Sequence, residues 1–141
     1  MGKNEYATIL ANRVVYFATE NTYYEFSSTN GVVSSVNMPT LSCQHEEADS
    51  RIIWHALYAC TDMQKPNIVV RSTDTDGFIL LLFHQKHIEG RIWMDAGISS
   101  NNTRRYIDIN NIADTLGTEL CDALPAFHAF TGCDYTASFL K

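Results

Sequence analysis

The stretch Asn67-Ile68-Val69-Val70-Arg71-Ser72-Thr73-Asp74-Thr75-Asp76-Gly77-Phe78-Ile79-Leu80-Leu81-Leu82-Phe83 decides how this chain is read. Pro66 stops the element before it, and the β-branched run Ile68-Val69-Val70 has the composition of a buried strand. The segment from Asp74 to Phe83 is read as a helix that begins where the strand ends, with Asp74 as its N-cap. Strand then helix is half of an α/β unit, and in open α/β sheets the reactive groups gather beyond the carboxyl ends of the strands. Asp74 and Asp76 sit at such an end. Two carboxylates that close repel each other unless a cation or hydrogen-bond donors compensate, and hard divalent cations take oxygen ligands. A capping Asp with a solvated neighbour explains this pair equally well when it is taken alone.

Upstream, Ile52, Ile53, Ala56, Leu57 and Cys60 recur at helical spacing and predict an amphipathic helix from about Glu46 to Met63. It opens with Glu46-Glu47-Ala48-Asp49, and Glu46 and Asp49, three apart, share the face that continues through Ile53 and Ala56. Acids also suit a helix N-terminus electrostatically, and Glu47 is placed to pair with Arg51. Before this helix, Arg13 to Thr19 reads as a strand. Thr22 to Ser28 and Val32 to Met38 flank Asn30-Gly31, a strong hairpin signal. Pro39 ends the last strand, so the first forty or so residues predict a small β-meander. Its aromatics Tyr16, Tyr23, Tyr24 and Phe26 fit hairpin packing better than base stacking.

Downstream, Arg91 to Met94 is a short strand, Ser99 to Asn102 a loop and Arg104 to Ile109 a further strand. Asn110 or Asn111 is expected to cap a short helix ending at Leu116, and a last helix, Thr118 to Phe130, is expected to kink or split at Pro125. Gly132-Cys133-Asp134-Tyr135 follows, where a glycine ordinarily ends a helix and an Asp marks a turn. Without a repeat, a low-complexity stretch or a charge block, the chain is expected to be one α/β domain over 1–141, with its motifs in 44–141.

The charged and apolar fractions are those of an ordinary globular protein, and the longest apolar run, Phe78 to Phe83, is far shorter than the roughly 20 residues of a membrane span. No signal peptide pattern opens the chain, and the scattered Cys43, Cys60, Cys121 and Cys133 form neither a zinc ribbon nor a disulfide framework; a reducing, intracellular compartment is expected. The net charge of −6 is unlike that of a generic nucleic-acid binder. It would fall to −1 if five of the acids belonged to a metal site. The one adjacent basic pair, Arg104-Arg105, suits phosphate contacts, though a solvated strand end accounts for it more simply.

Taken in order, Glu47-Ala48-Asp49, Asp74-Thr75-Asp76 and Gly132-Cys133-Asp134-Tyr135 resemble the Glu-Ala-Glu, Asp-x-Asp and Gly-x-Asp-Tyr segments of the flap-endonuclease (PIN-like) nuclease superfamily. The likeness runs from about Gln44 to Lys141, and the segment is also similar to proteins encoded by mobile elements of animal genomes. The resemblance implies a Rossmann-like three-layer sandwich and phosphodiester hydrolysis at branched or single-stranded DNA. It implies that Glu47, Asp49, Asp74, Asp76 and Asp134 hold Mg²⁺ or Mn²⁺, with Glu46 an unplaced extra, and that the enzyme works in the nucleus. Two such cations, roughly 3.5–4 Å apart, can activate a water and stabilise the leaving oxygen. The family also carries metal-binding aspartates earlier in its chain and continues into a DNA-gripping element. This sequence has no Asp before Asp49 and stops at Lys141, so an incomplete copy is expected, with activity belonging to the complete parent.

Four other accounts stay open, one of them that Asp74-Thr75-Asp76 holds a sugar nucleotide through Mn²⁺ as in some glycosyltransferases, which nothing else in the sequence supports. Asp74-Thr75-Asp76-Gly77 also resembles the first motif of haloacid-dehalogenase-type phosphatases, in which the first Asp attacks phosphorus, although Phe78 stands where Thr or Val is expected. His84-x-x-His87 and Cys43-x-His45 are possible metal ligands without partners at zinc spacing. A degenerate nuclease fold kept for binding is the non-enzymatic reading.

Overall fold

The structure, a computed structural model, describes residues 2–19, 22–42, 48–97 and 104–132. Two compact units divide the chain, Met1–Gln44 and His45–Lys141.

The first unit opens with a helix that the sequence pattern did not announce, α1 (Gly2–Ile9). Of its described side chains Ala7 is buried while Tyr6 and Ile9 stand largely in solvent, so no apolar stripe betrays it. The meander follows as expected: β1 (Val15–Ala18), β2 (Tyr23–Thr29) and β3 (Val32–Asn37) form an antiparallel sheet in that order. β1 is shorter than the predicted Arg13–Thr19. Asn30 and Gly31, at φ 51° and 75°, make the tight turn that joins Thr29 to Val32, as the positive φ of both central residues of a type I′ turn requires. Tyr23 is buried, and the Tyr24 and Phe26 rings lie 6.3 Å apart on neighbouring positions of β2. Pro39–Leu41 then forms a 3₁₀ turn.

The second unit is mixed α/β. Its elements are α2 (Ala48–Asp62), β4 (Asn67–Arg71), α3 (Thr75–His84), β5 (Arg91–Asp95), β6 (Tyr106–Asp108), α4 (Ile109–Leu116) and α5 (Thr118–Thr131). β4 and β5 pair in parallel, with Arg71 opposite Asp95, and β6 runs antiparallel to β5. α3 leads from β4 to β5, as a parallel pair demands a crossover. One core joins the sheet to the helices: Val70, Ile92 and Met94 meet Ile53 and Ala56 of α2, Leu81 and Leu82 of α3, Ile109 and Ala113 of α4 and Cys121 of α5. Leu81, Leu82, Ile92 and Ile109 are the fully closed positions of this core, each worth about 2 kcal/mol of apolar burial. The alternation along β4 sends Ile68 and Val70 inward and leaves Val69 57% exposed, so the described helices back one side of the sheet.

Two local expectations are corrected. The cap of α4 is Asp108, whose carboxylate accepts the Asn111 N–H at 3.2 Å. Asn110 is drawn elsewhere: its Oδ1 accepts the Ile92 N–H at 2.7 Å and its amide donates to the Gly90 carbonyl at 3.3 Å, tying α4 to the start of β5. The cap therefore goes to the residue that ends the strand, which shortens β6 from the predicted Arg104–Ile109. Pro125, expected to kink or split the last helix, lies inside an α-helix that runs unbroken from Thr118 to Thr131. Packing of Cys121 and Leu124 into the core holds the helix through the one hydrogen bond that proline cannot donate.

Candidate metal centre

Three aspartates from two separated segments converge at the carboxyl end of β4. One carboxylate oxygen each of Asp49, Asp74 and Asp76 lies within 4.8 Å of the other two. Among the described residues this is the one group of three or more His, Cys, Asp or Glu placed to hold a cation.

Each member arrives for a local reason. Asp49 is in the first turn of α2, on the half-buried side that Ile53 and Ala56 continue into the core. Asp74 is the N-cap of α3: its Oδ1 accepts the Asp76 N–H at 3.2 Å, and its own N–H donates to Ser72 Oγ at 3.1 Å. Asp76, in the first turn of α3, is half-buried. Gly77 closes the arrangement. A Cβ built there would stand 3.5 Å from Asp49 Oδ1 and 3.4 Å from Ser72 Oγ, so α3 lies directly against the Asp49 carboxylate.

At 4.8 Å two unit negative charges repel by roughly 1 kcal/mol in bulk water and by several times that where the effective dielectric constant is near 20. The first-turn N–H groups of α2 and α3 offset part of this, as helix N-termini favour negative charge. A divalent cation offsets more. An all-oxygen set of carboxylates suits a hard cation such as Mg²⁺, Mn²⁺ or Ca²⁺ rather than a thiolate- or imidazole-seeking metal. Asp74 is exposed, which leaves the cluster open to solvent and to a ligand from outside.

A fourth residue touches the cluster, and the sequence analysis did not find it. His128 Nε2 of α5 lies 2.5 Å from Asp76 Oδ1, with both side chains about three-quarters or more out of solvent. The signal was present as spacing: Cys121, Leu124, Pro125 and His128 fall at i, i+3, i+4 and i+7, the inner stripe of α5. A histidine near a helix C-terminus also has an ordinary explanation in the helix dipole.

Of the other predicted site residues, Glu47 and Asp134 lie outside the described residues, as do Glu46, Cys43 and His45. Arg104 and Arg105 precede β6, away from the acidic group in sequence but at the same end of the sheet. Arg104 Nη1 bonds Tyr106 Oη at 3.1 Å and stands 3.9 Å from Asp95 Oδ2. The Tyr106 hydroxyl, and after it the Asp95 charge, raise the already high guanidinium pKa. Asp95, the last residue of β5, is a 4%-exposed carboxylate that also accepts the Gly97 N–H at 3.2 Å. His84 lies at the far end of α3 from the carboxylates, its ring edge-on to Phe83, with burial holding its pKa below the usual value. A cleft of about 590 Å³ lined by Lys65, Arg91, Asn110 and Asp114 opens where β5 begins, at the opposite end of the sheet from the acidic group.

Comparison with known protein families, curated proteins and solved structures finds no match for this chain. The geometry of the aspartate group is that of residues able to hold a cation.

Proposed function

We propose that this chain carries the acidic centre of a divalent-metal-dependent nuclease of the flap-endonuclease, PIN-like type. The observation that supports the reading is the convergence of Asp49, Asp74 and Asp76, which are 25 and 27 residues apart along the chain, at the carboxyl end of a parallel strand. These are described members of the set that the resemblance selects, and Glu47 and Asp134 complete it as further ligands in the proposal. The three-layer sandwich belongs to the same proposal and requires a further layer over the Val69 side of the sheet.

In this reading Asp49, Asp74 and Asp76 hold Mg²⁺ or Mn²⁺ as ligands, not as a general acid–base pair, in a two-cation centre. The chemistry supplied by bound cations of this kind is activation of a water and stabilisation of the leaving oxygen of a phosphodiester. The chain's own part is to present the carboxylates on the first turns of two helices, where α2 and α3 lock their backbones, and to leave Asp74 open to an incoming phosphate. Arg104 and Arg105 serve as phosphate contacts, Arg104 already oriented by Tyr106 and Asp95. The substrate is DNA, single-stranded or branched, and the compartment is the nucleus.

Cleavage of labelled single-stranded and flapped DNA in Mg²⁺ or Mn²⁺, abolished by chelator and by Asp76→Asn, supports this function. Metal binding without cleavage of any such substrate replaces it with the non-catalytic alternative, a nuclease-type fold kept for binding.

A further inference from the structure

We infer that His128 is a positioning residue for Asp76, acting on a metal at the aspartate centre through that carboxylate. The inference rests on the metal-centre reading above and deepens it.

The geometry is specific. Asp76 and His128 are 52 residues apart, and their side chains meet at 2.5 Å across the packing of α5 on α3. The contact is between Nε2, one of the two ring nitrogens, and Oδ1, one of the two carboxylate oxygens. A carboxylate with one oxygen fixed by a donor keeps the other free, and its plane is set by the bond. Of the three aspartates, Asp74 is held by its capping bond. Asp76 instead meets His128 Nε2, and the imidazole supplies its orientation. Ligating carboxylates in metal sites are commonly fixed by hydrogen bonds from outside the ligand set, and loss of such a partner typically costs 10–100-fold in metal affinity.

The ring is placed to do this by the architecture of α5. Cys121 and Leu124 anchor the inner stripe of the helix in the core, and His128, one turn further along that stripe, comes out beside the first turn of α3. Lys86 Nζ and Asp122 Oδ1 make a second link, at 2.5 Å, between the segment that follows α3 and the first half of α5. The two helices are thus joined near both ends, which limits the freedom of His128 relative to Asp76. A merely structural role would make the contact one more helix-to-helix tie, like Lys86–Asp122. A positioning role makes it matter to the metal through Asp76 and nowhere else.

The test is Mn²⁺ binding to the whole chain at pH 7.5, read by loss of the free-Mn²⁺ electron paramagnetic resonance signal. The proteins are wild type, His128→Ala, His128→Gln, Asp76→Asn and the Asp76→Asn/His128→Ala double variant, with metal-free melting curves for each. The expected result is affinity about tenfold or more weaker in His128→Ala. His128→Gln, whose side-chain amide can donate from a similar place, is expected within about threefold of wild type, and His128→Ala should have no further effect once Asp76 is Asn. Wild-type affinity in both His128 variants overturns the inference and leaves the metal centre standing. Equal losses in His128→Ala and His128→Gln, in step with lowered metal-free melting temperatures, overturn it in favour of a structural tie. No Mn²⁺ binding by the wild-type chain overturns the metal-centre reading itself, and this inference with it.

Discussion

Gly77 and Asp49 are in near contact: a Cβ on Gly77 would stand 3.5 Å from Asp49 Oδ1, at the distance of ordinary van der Waals packing. The relationship joins helix geometry to the aspartate centre, because Gly77 is the third residue of α3 and is itself buried. A single methyl group fits there; a branched side chain does not.

Gly77→Ala is therefore expected to fold at least as well as wild type, since alanine favours a helix interior over glycine by up to about 1 kcal/mol. Gly77→Val is expected to displace the Asp49 carboxylate and destabilise the chain by about 1–3 kcal/mol through overpacking. Urea denaturation of both variants, with Mn²⁺ titration, checks this. Equal stability of the two would show that α3 does not lie against Asp49.

Asn110 holds the start of β5 by accepting the Ile92 N–H and donating to the Gly90 carbonyl. Asn110→Ala removes both and leaves a partly buried amide unsatisfied, with an expected loss of about 1–3 kcal/mol. The contact is at the opposite end of the sheet from the aspartates, so Mn²⁺ affinity measured on the folded variant should not change. Urea unfolding at neutral pH measures the first effect and calorimetry the second.

Acid should weaken the fold in two stages. His55 is held below the ordinary 6.5 by burial and then by the Arg51 charge, and His84 by burial and then by His87 and Lys86. For both, the unfolded chain takes up the proton first, so their contribution is complete above about pH 6.5 and declines as pH falls below it. Asp108 is held below the ordinary 3.8, first by its hydrogen bond from Arg91 and then by the Asn111 N–H, so its contribution persists to lower pH and is lost as pH falls through the depressed value. The urea midpoint should drop between pH 7.5 and 5.5 in wild type and drop less in a His55→Gln/His84→Gln variant. Asp108→Asn should soften only the acid limb below about pH 4, because Asn caps a helix about as well as Asp and only the charged bond to Arg91 is weakened.

Much of the second unit could be read directly because its elements announce themselves by period and punctuation. The Ile68–Val70 run, Pro66 and the Asp74 cap mark β4 and α3, and the stripe through Ile53 and Ala56 marks α2. Asn30-Gly31 fixes the hairpin of the first unit for the same reason: positive φ at two successive positions leaves few residue choices. What escaped was set by tertiary contact. Of the described side chains of α1, Ala7 alone is buried, too little to show a stripe. Asp108 rather than Asn110 caps α4 because Asn110 is claimed by β5, and Pro125 stays helical because its neighbours are in the core. At the site, Asp49, Asp74 and Asp76 are named through the order of motifs that carries the resemblance, and the structure brings these three carboxylates together. The inner stripe of α5 puts His128 on the core side of its helix, but that spacing does not name its partner, which lies 52 residues away.

The central claim is that the three aspartates form a cation site, and the most direct measurement is calorimetric titration of the chain with Mn²⁺ at pH 7.5, alongside Asp74→Asn/Asp76→Asn. The account predicts saturable binding by the wild-type chain that is lost in the double variant, while the variant keeps its fold by circular dichroism. Absence of binding in the wild type, or binding that the double variant retains, would contradict it.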